Sequence, residues 1–272
     1  MQLSISNIGW AAENDRQVYG LMKKYGFQGL EIAPTRIFPE TPYARNAEAE
    51  EWSKRLRDTQ GFCVPSMQSI WYGRQEKIFG ADEERKALLD YTRKAIDFAA
   101  AIGCRNLVFG CPRNRNMPEG ADESIAVAFF KELGDYAYSK GTVIGMEPNP
   151  PIYNTNYIND TESAFDLIKK VDSKGFLLNL DLGTMIQNEE NVGELVGKIP
   201  LISHVHISEP GLKPIEERAI HSELKGLLEK EGYDRFVSIE MGRINDIGIL
   251  EAIMAYVRRF TQHRTLCRFL SY

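Results

Sequence analysis

Short runs of apolar and β-branched residues alternate along the chain with longer amphipathic stretches, and this alternation repeats eight times. Such runs are typical of strands that are covered on both faces of a parallel sheet. The predicted strands are Gln2–Ser6, Gly29–Ala33, Phe62–Gln68, Asn106–Gly110, Val143–Glu147, Leu177–Asp181, Ser203–Ser208 and Phe236–Glu240.

The stretches between these strands place their apolar residues on one face, as helices on a protein surface do. Several end at a glycine such as Gly26 or Gly103, the residue that most readily follows a helix. Asp160 precedes another stretch and is a suitable N-cap. The predicted helices are Arg16–Tyr25, Asn46–Gln60, Asp82–Ile102, Asp122–Lys140, Asp160–Val171, Glu189–Lys198, Glu216–Glu231 and Asp246–Gln262.

Eightfold alternation of strand and helix predicts an α/β fold, a single (β/α)₈ TIM barrel formed by residues 1–272. A doubly wound open sheet is the alternative, but no GxGxxG motif follows the first strand, which argues against a dinucleotide-binding sheet. In a barrel, the active site is expected at the carboxyl ends of the strands.

Composition narrows the functional classes. The 272 residues carry a formal net charge of −5, whereas a dedicated nucleic-acid binder usually has a basic face. No apolar run is long enough to span a membrane, and the N-terminus lacks the pattern of a signal peptide. The four cysteines form no CxxC pair. We therefore expect a cytoplasmic protein with reduced thiols.

Four successive predicted strands end in a residue that can bind a metal: Glu147, Asp181, His206 and Glu240. Any one carboxylate could simply cap a helix or form an ion pair. Three carboxylates and an imidazole buried together, however, require a cation or protons to compensate their charge. The sequence therefore predicts one divalent ion. Oxygen-rich ligands suit Mn²⁺, Mg²⁺ or Co²⁺, whereas a structural zinc site would prefer thiolates or more imidazoles.

Two further residues, His204 and Glu209, lie close to this predicted site in or just after the seventh strand. His204 and His206 are two apart, so their side chains point the same way. His206 is nearer the strand end and is the expected ligand, with His204 in a supporting or packing role. Glu209 follows in the loop, where it could orient His206 or bind substrate.

The four ligand-type residues, together with the phrases HVHISEP and GYDRFVSIEMG, resemble the xylose-isomerase-like barrel superfamily, in particular its sugar-phosphate isomerase/epimerase branch typified by D-tagatose 3-epimerase. The resemblance covers nearly the whole chain. It implies that Glu147 and Glu240 bind the metal and also act as the acid/base pair, whereas Asp181 and His206 are ligands only. Thr184 stands where many members carry a histidine, so its candidate substrate contact departs from the family pattern.

The chemistry of a ketose fits this arrangement. Its two adjacent oxygens can bind a metal that polarises the carbonyl and stabilises the enediolate formed on proton removal. One carboxylate can remove the proton while a second returns one. We therefore expect a sugar or sugar-phosphate isomerase or epimerase.

Other polar and aromatic residues at the predicted rim are candidates for binding the substrate. Arg113 and Arg115 follow the fourth strand, and their guanidinium groups suit a phosphate or carboxylate, although a solvated loop would also explain them. Gln68 ends the third strand, and Trp71 could stack on a sugar or simply cover the barrel mouth. The two arginines favour an anionic substrate.

Three other functions remain open from the sequence. A dehydratase of the inosose or dehydroshikimate type would use the same metal and base but expel water. A nuclease like endonuclease IV needs three zinc ions and many histidines, and this chain has four histidines. A non-catalytic sugar-binding protein is the third. The expected partner is a small carbohydrate rather than nucleic acid or membrane, and the sequence allows a homo-oligomer.

Overall fold

In the computed structural model, which describes residues 1–260, eight parallel strands form a nearly closed barrel with helices around it. The strands are β1 (Gln2–Ser6), β2 (Gly29–Glu31), β3 (Ser66–Met67), β4 (Asn106–Phe109), β5 (Val143–Met146), β6 (Phe176–Asp181), β7 (Ile202–Ile207) and β8 (Phe236–Ile239). The helices are α1 (Asp15–Tyr25), α2 (Pro34–Ile37), α3 (Asn46–Gln60), α4 (Asp82–Ile102), α5 (Ser124–Ser139), α6 (Thr161–Val171), α7 (Leu182–Gln187), α8 (Ala219–Lys230) and α9 (Ile247–Val257).

The strands follow one another around the barrel in chain order. β1 pairs with β2 on one side and with β8 on the other, and each strand from β3 to β8 pairs with the next. Isolated bridges, Gly29 with Cys63 and Ile32 with Met67, join β2 to the chain around β3. The predicted TIM barrel is confirmed, and the carboxyl ends of all eight strands meet on one rim.

Several predicted boundaries agree with the structure. Asp160 caps α6 as expected, because its carboxylate accepts a hydrogen bond of 2.7 Å from the Ser163 N–H. β3 is shorter than the predicted Phe62–Gln68, since Pro65 within that run has no N–H to donate to a neighbouring strand.

The predicted helix Glu189–Lys198 is wrong. The helix in this region is α7, which starts directly after β6 because Asp181 caps it and accepts a 2.6 Å hydrogen bond from the Thr184 N–H. Glu189 follows α7 with a φ of 57°, outside the helical region, and a short 3₁₀ turn succeeds it. The pattern of apolar residues does not show that Asp181 is an N-cap, and so it does not predict where this helix begins.

The predicted final helix Asp246–Gln262 corresponds to α9 and a 3₁₀ turn at Arg258–Phe260. Thr261 and Gln262 lie outside the described residues. Within residues 1–260, no helix is both long enough and apolar enough to cross a membrane.

Candidate metal centre

The structure brings the four predicted ligands together at the carboxyl ends of neighbouring strands. Glu147 directly follows β5, Asp181 ends β6, His206 lies in β7 and Glu240 directly follows β8. Each is at most 8% exposed. One ligand atom from each residue lies within 4.8 Å of the ligand atoms of the other three. The four side chains can therefore reach a single ion.

The charges of this cluster are poorly compensated by the protein itself. Burial, together with the charge of Glu147, raises the pKa of Glu240 to about 7 and that of Asp181 to about 6. Burial alone would lower the pKa of His206, but Glu240 and the nearby Glu31 outweigh it and raise that pKa well above its ordinary value. Without a metal, the site must hold protons to limit repulsion among its carboxylates. A divalent cation does the same, so the residues fit such an ion.

Glu147 and Glu240 both lie close to one nitrogen of His206. His206 Nδ1 is 2.9 Å from Glu147 Oε1 and 3.2 Å from Glu240 Oε2. Asn179, in β6, donates from Nδ2 to the same Glu147 oxygen at 2.9 Å. The position of Glu147 is thus defined by side chains on two neighbouring strands.

Asp181 has both of its oxygens held. Oδ1 caps α7 through the Thr184 N–H, and the Ser208 hydroxyl donates to Oδ2. Helix capping and metal binding are therefore compatible roles for this carboxylate. Thr184 itself is buried, and its hydroxyl donates to the Pro148 carbonyl at 2.8 Å. Its side chain does not line the pocket, which argues against the predicted substrate contact.

Glu31, at the end of β2, lies behind the imidazole of His206. Its Oε2 is 3.0 Å from His206 Nε2 and 3.1 Å from His204 Nε2. With a metal bound and His206 neutral, Nε2–H would donate to Glu31 and leave the Nδ1 lone pair for the ion, the arrangement that commonly orients metal-binding histidines. Glu31, His204 and His206 also lie close enough to be considered as ligands, but these separations are those of hydrogen bonds.

The expectation that Glu209 orients His206 is wrong. Both oxygens of the Glu209 carboxylate are taken by Arg218, at distances from 2.7 to 2.9 Å, and Oε1 also accepts the Glu216 N–H. Glu209 therefore holds the loop after β7 in place. That loop forms one wall of the pocket above the cluster.

A cavity of about 180 Å³ opens above the cluster. Its lining consists of Gln68, Ser69, Val108, Gly110, Cys111, Pro112, Glu147, Asn149, Tyr153, Asp181, Ser208, Glu209, Leu212 and Glu240. Ser69 and Cys111 have φ values of 55° and 43°, a conformation that is rare for residues other than glycine and often occurs at functional sites. A pocket of this size suits a small molecule.

Gln68 lines the pocket as predicted, but its amide is largely occupied within the protein. Nε2 donates to Ser6 Oγ at 2.8 Å and to Glu31 Oε1 at 3.3 Å, and Oε1 accepts from the Ser69 hydroxyl at 3.2 Å. Gln68 thus fixes the carboxylate that in turn holds His206.

The two arginines predicted to bind an anionic group do not enter the pocket. Arg115 is completely buried, and its guanidinium donates to the carbonyls of Gly110, Glu147 and Ile158 and to Asn149 Oδ1. Burial lowers the pKa of Arg115 to about 10, so the group remains a cation at neutral pH. The exposed Arg113 lies outside the pocket lining. The structure therefore does not support the prediction that Arg113 and Arg115 bind an anionic group of the substrate.

Trp71 is a core residue rather than a stacking platform. It is 3% exposed, its Nε1 donates to Thr92 Oγ1 at 2.8 Å, and its ring packs edge-on against Phe109 with centroids 4.7 Å apart. The structure therefore does not support stacking of Trp71 on a sugar, because the ring is buried in packing contacts.

Sequence reasoning left Asn149, Tyr153 and Asn179 without a role. Asn179 precedes Asp181 by two residues on the same strand, so strand periodicity alone could have placed it on the same face. Asn149 and Tyr153 lie in the loop after β5, where the sequence does not predict side-chain directions.

Comparison with known proteins agrees with this architecture. The family model of the xylose isomerase-like TIM barrel matches residues 20–260. The chain is similar in structure to 3-keto-D-glucoside 4-epimerase YcjR from E. coli, with 21% identity, a TM-score of 0.75, and coverage of 95% of this chain and 99% of that one. It is also similar to D-psicose 3-epimerase from Clostridium cellulolyticum H10, with 17% identity, a TM-score of 0.77 and coverage of 96% and 98%.

A third similar structure is the probable 3-DHS dehydratase AsbF from Bacillus anthracis, with 14% identity, a TM-score of 0.67 and coverage of 97% of this chain and 100% of that one. At these identities the likeness shows the fold, which both epimerases and a dehydratase share. None of the curated proteins matches this chain in sequence.

Proposed function

Because this chain belongs to the xylose isomerase-like TIM-barrel family, we propose that it is a divalent-metal-dependent isomerase or epimerase that acts on an uncharged sugar. The observation that carries the proposal is the buried cluster of Glu147, Asp181, His206 and Glu240 at the base of the pocket. These four residues would hold the ion. Mn²⁺, Mg²⁺ and Co²⁺ suit a set of three oxygen ligands and one nitrogen ligand.

Glu147 and Glu240 are suited to transfer protons to and from a substrate. A bound divalent ion would polarise a sugar carbonyl and make the neighbouring proton easier to remove. The two glutamates follow β5 and β8, which are not neighbours in the barrel, and both lie close to His206 Nδ1. In the proposed reaction, one of them takes a proton from the carbon next to the carbonyl and the other returns a proton.

The charges of the pocket favour an uncharged substrate. Among residues 1–260, the pocket lining contains no lysine or arginine, whereas Glu147, Asp181, Glu209 and Glu240 all contribute to it. Apart from the proposed metal ion, the lining offers no lysine or arginine to bind an anionic group, and the arginine that pairs with Glu209 is already engaged by that carboxylate. We therefore replace the expected anionic substrate with a neutral one.

Tyr153 is the best-placed neutral donor for such a substrate. Its hydroxyl oxygen accepts a 2.8 Å hydrogen bond from the Gly211 N–H, which links the loop after β5 to the loop after β7. Burial raises the pKa of Tyr153, and the charges of Asp181 and Glu240 add to this, so the phenol keeps its proton. Within the described part of the chain that proton has no acceptor, and it can be donated to a sugar oxygen.

A dehydratase is the second candidate, because the fold is shared with a probable dehydratase. Removal of a proton next to a carbonyl begins both reactions. The products differ, since a dehydratase forms an unsaturated or deoxy compound whereas an epimerase only inverts a carbon.

The test is to incubate the Mn²⁺-loaded protein with a panel of ketohexoses, inososes and ketose phosphates, and to identify products by NMR. We expect an epimer or isomer from a neutral ketose and a much higher KM for its phosphate. Arg113→Gln is the matched control and should change neither KM. A phosphate preferred over the free sugar, or a product that has lost water, would overturn this assignment.

A further inference from the structure

Arg115 is a buried cation next to the metal centre, and the proposed reaction leaves it without a role. Its Nη1 donates to the carbonyl oxygens of Gly110 at 2.7 Å and Glu147 at 2.8 Å. Its Nη2 donates to Asn149 Oδ1 at 3.0 Å and to the Ile158 carbonyl at 3.1 Å. All four acceptors are neutral, although the side chain is completely buried.

A buried guanidinium with only neutral partners is costly. Buried charges are usually paired with an opposite charge, and none of the ion pairs formed by the described residues includes Arg115. An apolar residue of similar volume would fill the space without this cost. Arg115 supplies a rigid planar fork that binds several acceptors at once, and neither methionine nor lysine can reproduce it.

Two of the acceptors of Arg115 belong to the strand ends beside the Glu147 carboxylate. Gly110 directly follows β4, and a Cβ atom added there would lie 2.8 Å from Glu147 Oε2, so the main chain of Gly110 packs against the carboxylate. Arg115 binds the carbonyls of both residues and therefore fixes the distance between these strand ends.

The hydrogen bond from Arg115 to Asn149 determines which end of the Asn149 carboxamide faces Glu147. Because Asn149 Oδ1 accepts from Arg115, its Nδ2 is the amide atom left to face Glu147 Oε2, at 3.4 Å. We infer that Arg115 is a positioning residue for Glu147, and that it acts through the Glu147 main chain and through the Asn149 carboxamide. The inference rests on the proposed function only in that Glu147 binds the metal.

The test compares Mn²⁺ binding in Arg115→Lys, Arg115→Met and Asn149→Ala with the wild type. Free Mn²⁺ is measured by EPR, and thermal unfolding is followed in parallel. Supporting residues behind metal ligands typically change affinity 10- to 100-fold, so we expect about a tenfold or greater rise in the Kd of both Arg115 variants. Arg113→Gln changes an exposed arginine of the same loop and should stay within about twofold of wild type.

Asn149→Ala keeps the carbonyl contacts of Arg115 and tests the route through the amide, even if Arg115→Met does not fold. We expect a severalfold rise in its Kd for Mn²⁺. Adding Asn149→Ala to Arg115→Lys should raise the Kd by a smaller factor than Asn149→Ala does in the wild type, because the two residues act on the same carboxylate. Folded Arg115→Lys and Asn149→Ala proteins with wild-type Mn²⁺ affinity would overturn the inference. Because no sugar is used, wild-type protein that binds Mn²⁺ but converts no sugar would refute the proposed function alone.

Discussion

The protonation of Glu240 should make the stability of the metal-free protein depend on pH. Burial raises its pKa from 4.5 to about 7; His206 opposes this shift and Glu147 adds to it. A carboxyl group with a higher pKa in the folded protein keeps a proton that the unfolded chain has already released. The fold therefore loses stability as the pH rises from about 4.5 towards 7.

Replacing Glu240 by Gln removes this titration and keeps the size of the side chain. One pKa unit corresponds to about 1.4 kcal/mol, so the wild type should lose up to about 3 kcal/mol relative to Glu240→Gln between pH 4.5 and 7. The variant is the necessary reference because His204 and His221 change the free energy of unfolding with pH in the opposite direction, and they do so in both proteins. Burial lowers the pKa of both, so their contribution to stability rises with pH up to about 6.5.

The assay is urea unfolding at pH 5, 6, 7 and 8 in the presence of EDTA. A difference between the two proteins that stays constant with pH, or that grows in favour of the wild type, would refute the reasoning. Saturating Mn²⁺ should reverse the trend for the wild type, because the metal binds the ionised carboxylates and so competes with protons.

Three further substitutions test separate parts of the site. Glu31→Gln removes the charge behind His206 and should raise the Kd for Mn²⁺ about 10- to 100-fold; unchanged binding would show that the carboxylate does not support the ligand. Tyr153→Phe should raise the KM for a neutral sugar several-fold without altering metal content, and an unchanged KM would remove the proposed contact. Trp71→Phe loses the hydrogen bond to Thr92 and should lower the free energy of unfolding by about 1 kcal/mol with KM unaffected, whereas a raised KM would restore a sugar-stacking role.

The grouping of the four candidate ligands could be predicted because strand ends in a barrel have a defined location. Glu147, Asp181 and Glu240 each end an apolar run, and a barrel places all such ends on one rim. No knowledge of loop conformation is needed for that step. The same argument does not predict the pairing of Glu31 with His206, since that pairing depends on which side chains meet across the barrel interior.

The residues expected to bind the substrate were harder to predict because they lie in loops. Arg115 follows Cys111, whose φ is 43°, and a 3₁₀ turn at Pro112–Asn114, and this path turns the guanidinium inward. Trp71 likewise turns into the core after Ser69, whose φ is 55°. Composition and spacing do not specify such backbone turns. The loop with two arginines therefore resembled an anion-binding site, although the guanidinium of Arg115 binds main-chain and amide oxygens inside the protein.

Solvent deuterium uptake during turnover tests the central claim most directly. In D₂O, the Mn²⁺-loaded protein should convert a neutral ketose to its epimer or isomer with one deuteron at the carbon that gains a proton. EDTA, Glu147→Gln and Glu240→Gln should each suppress this uptake by about 10²-fold or more. Conversion without deuterium, or at an undiminished rate in EDTA or in either glutamine variant, would contradict metal-dependent proton transfer by these two glutamates.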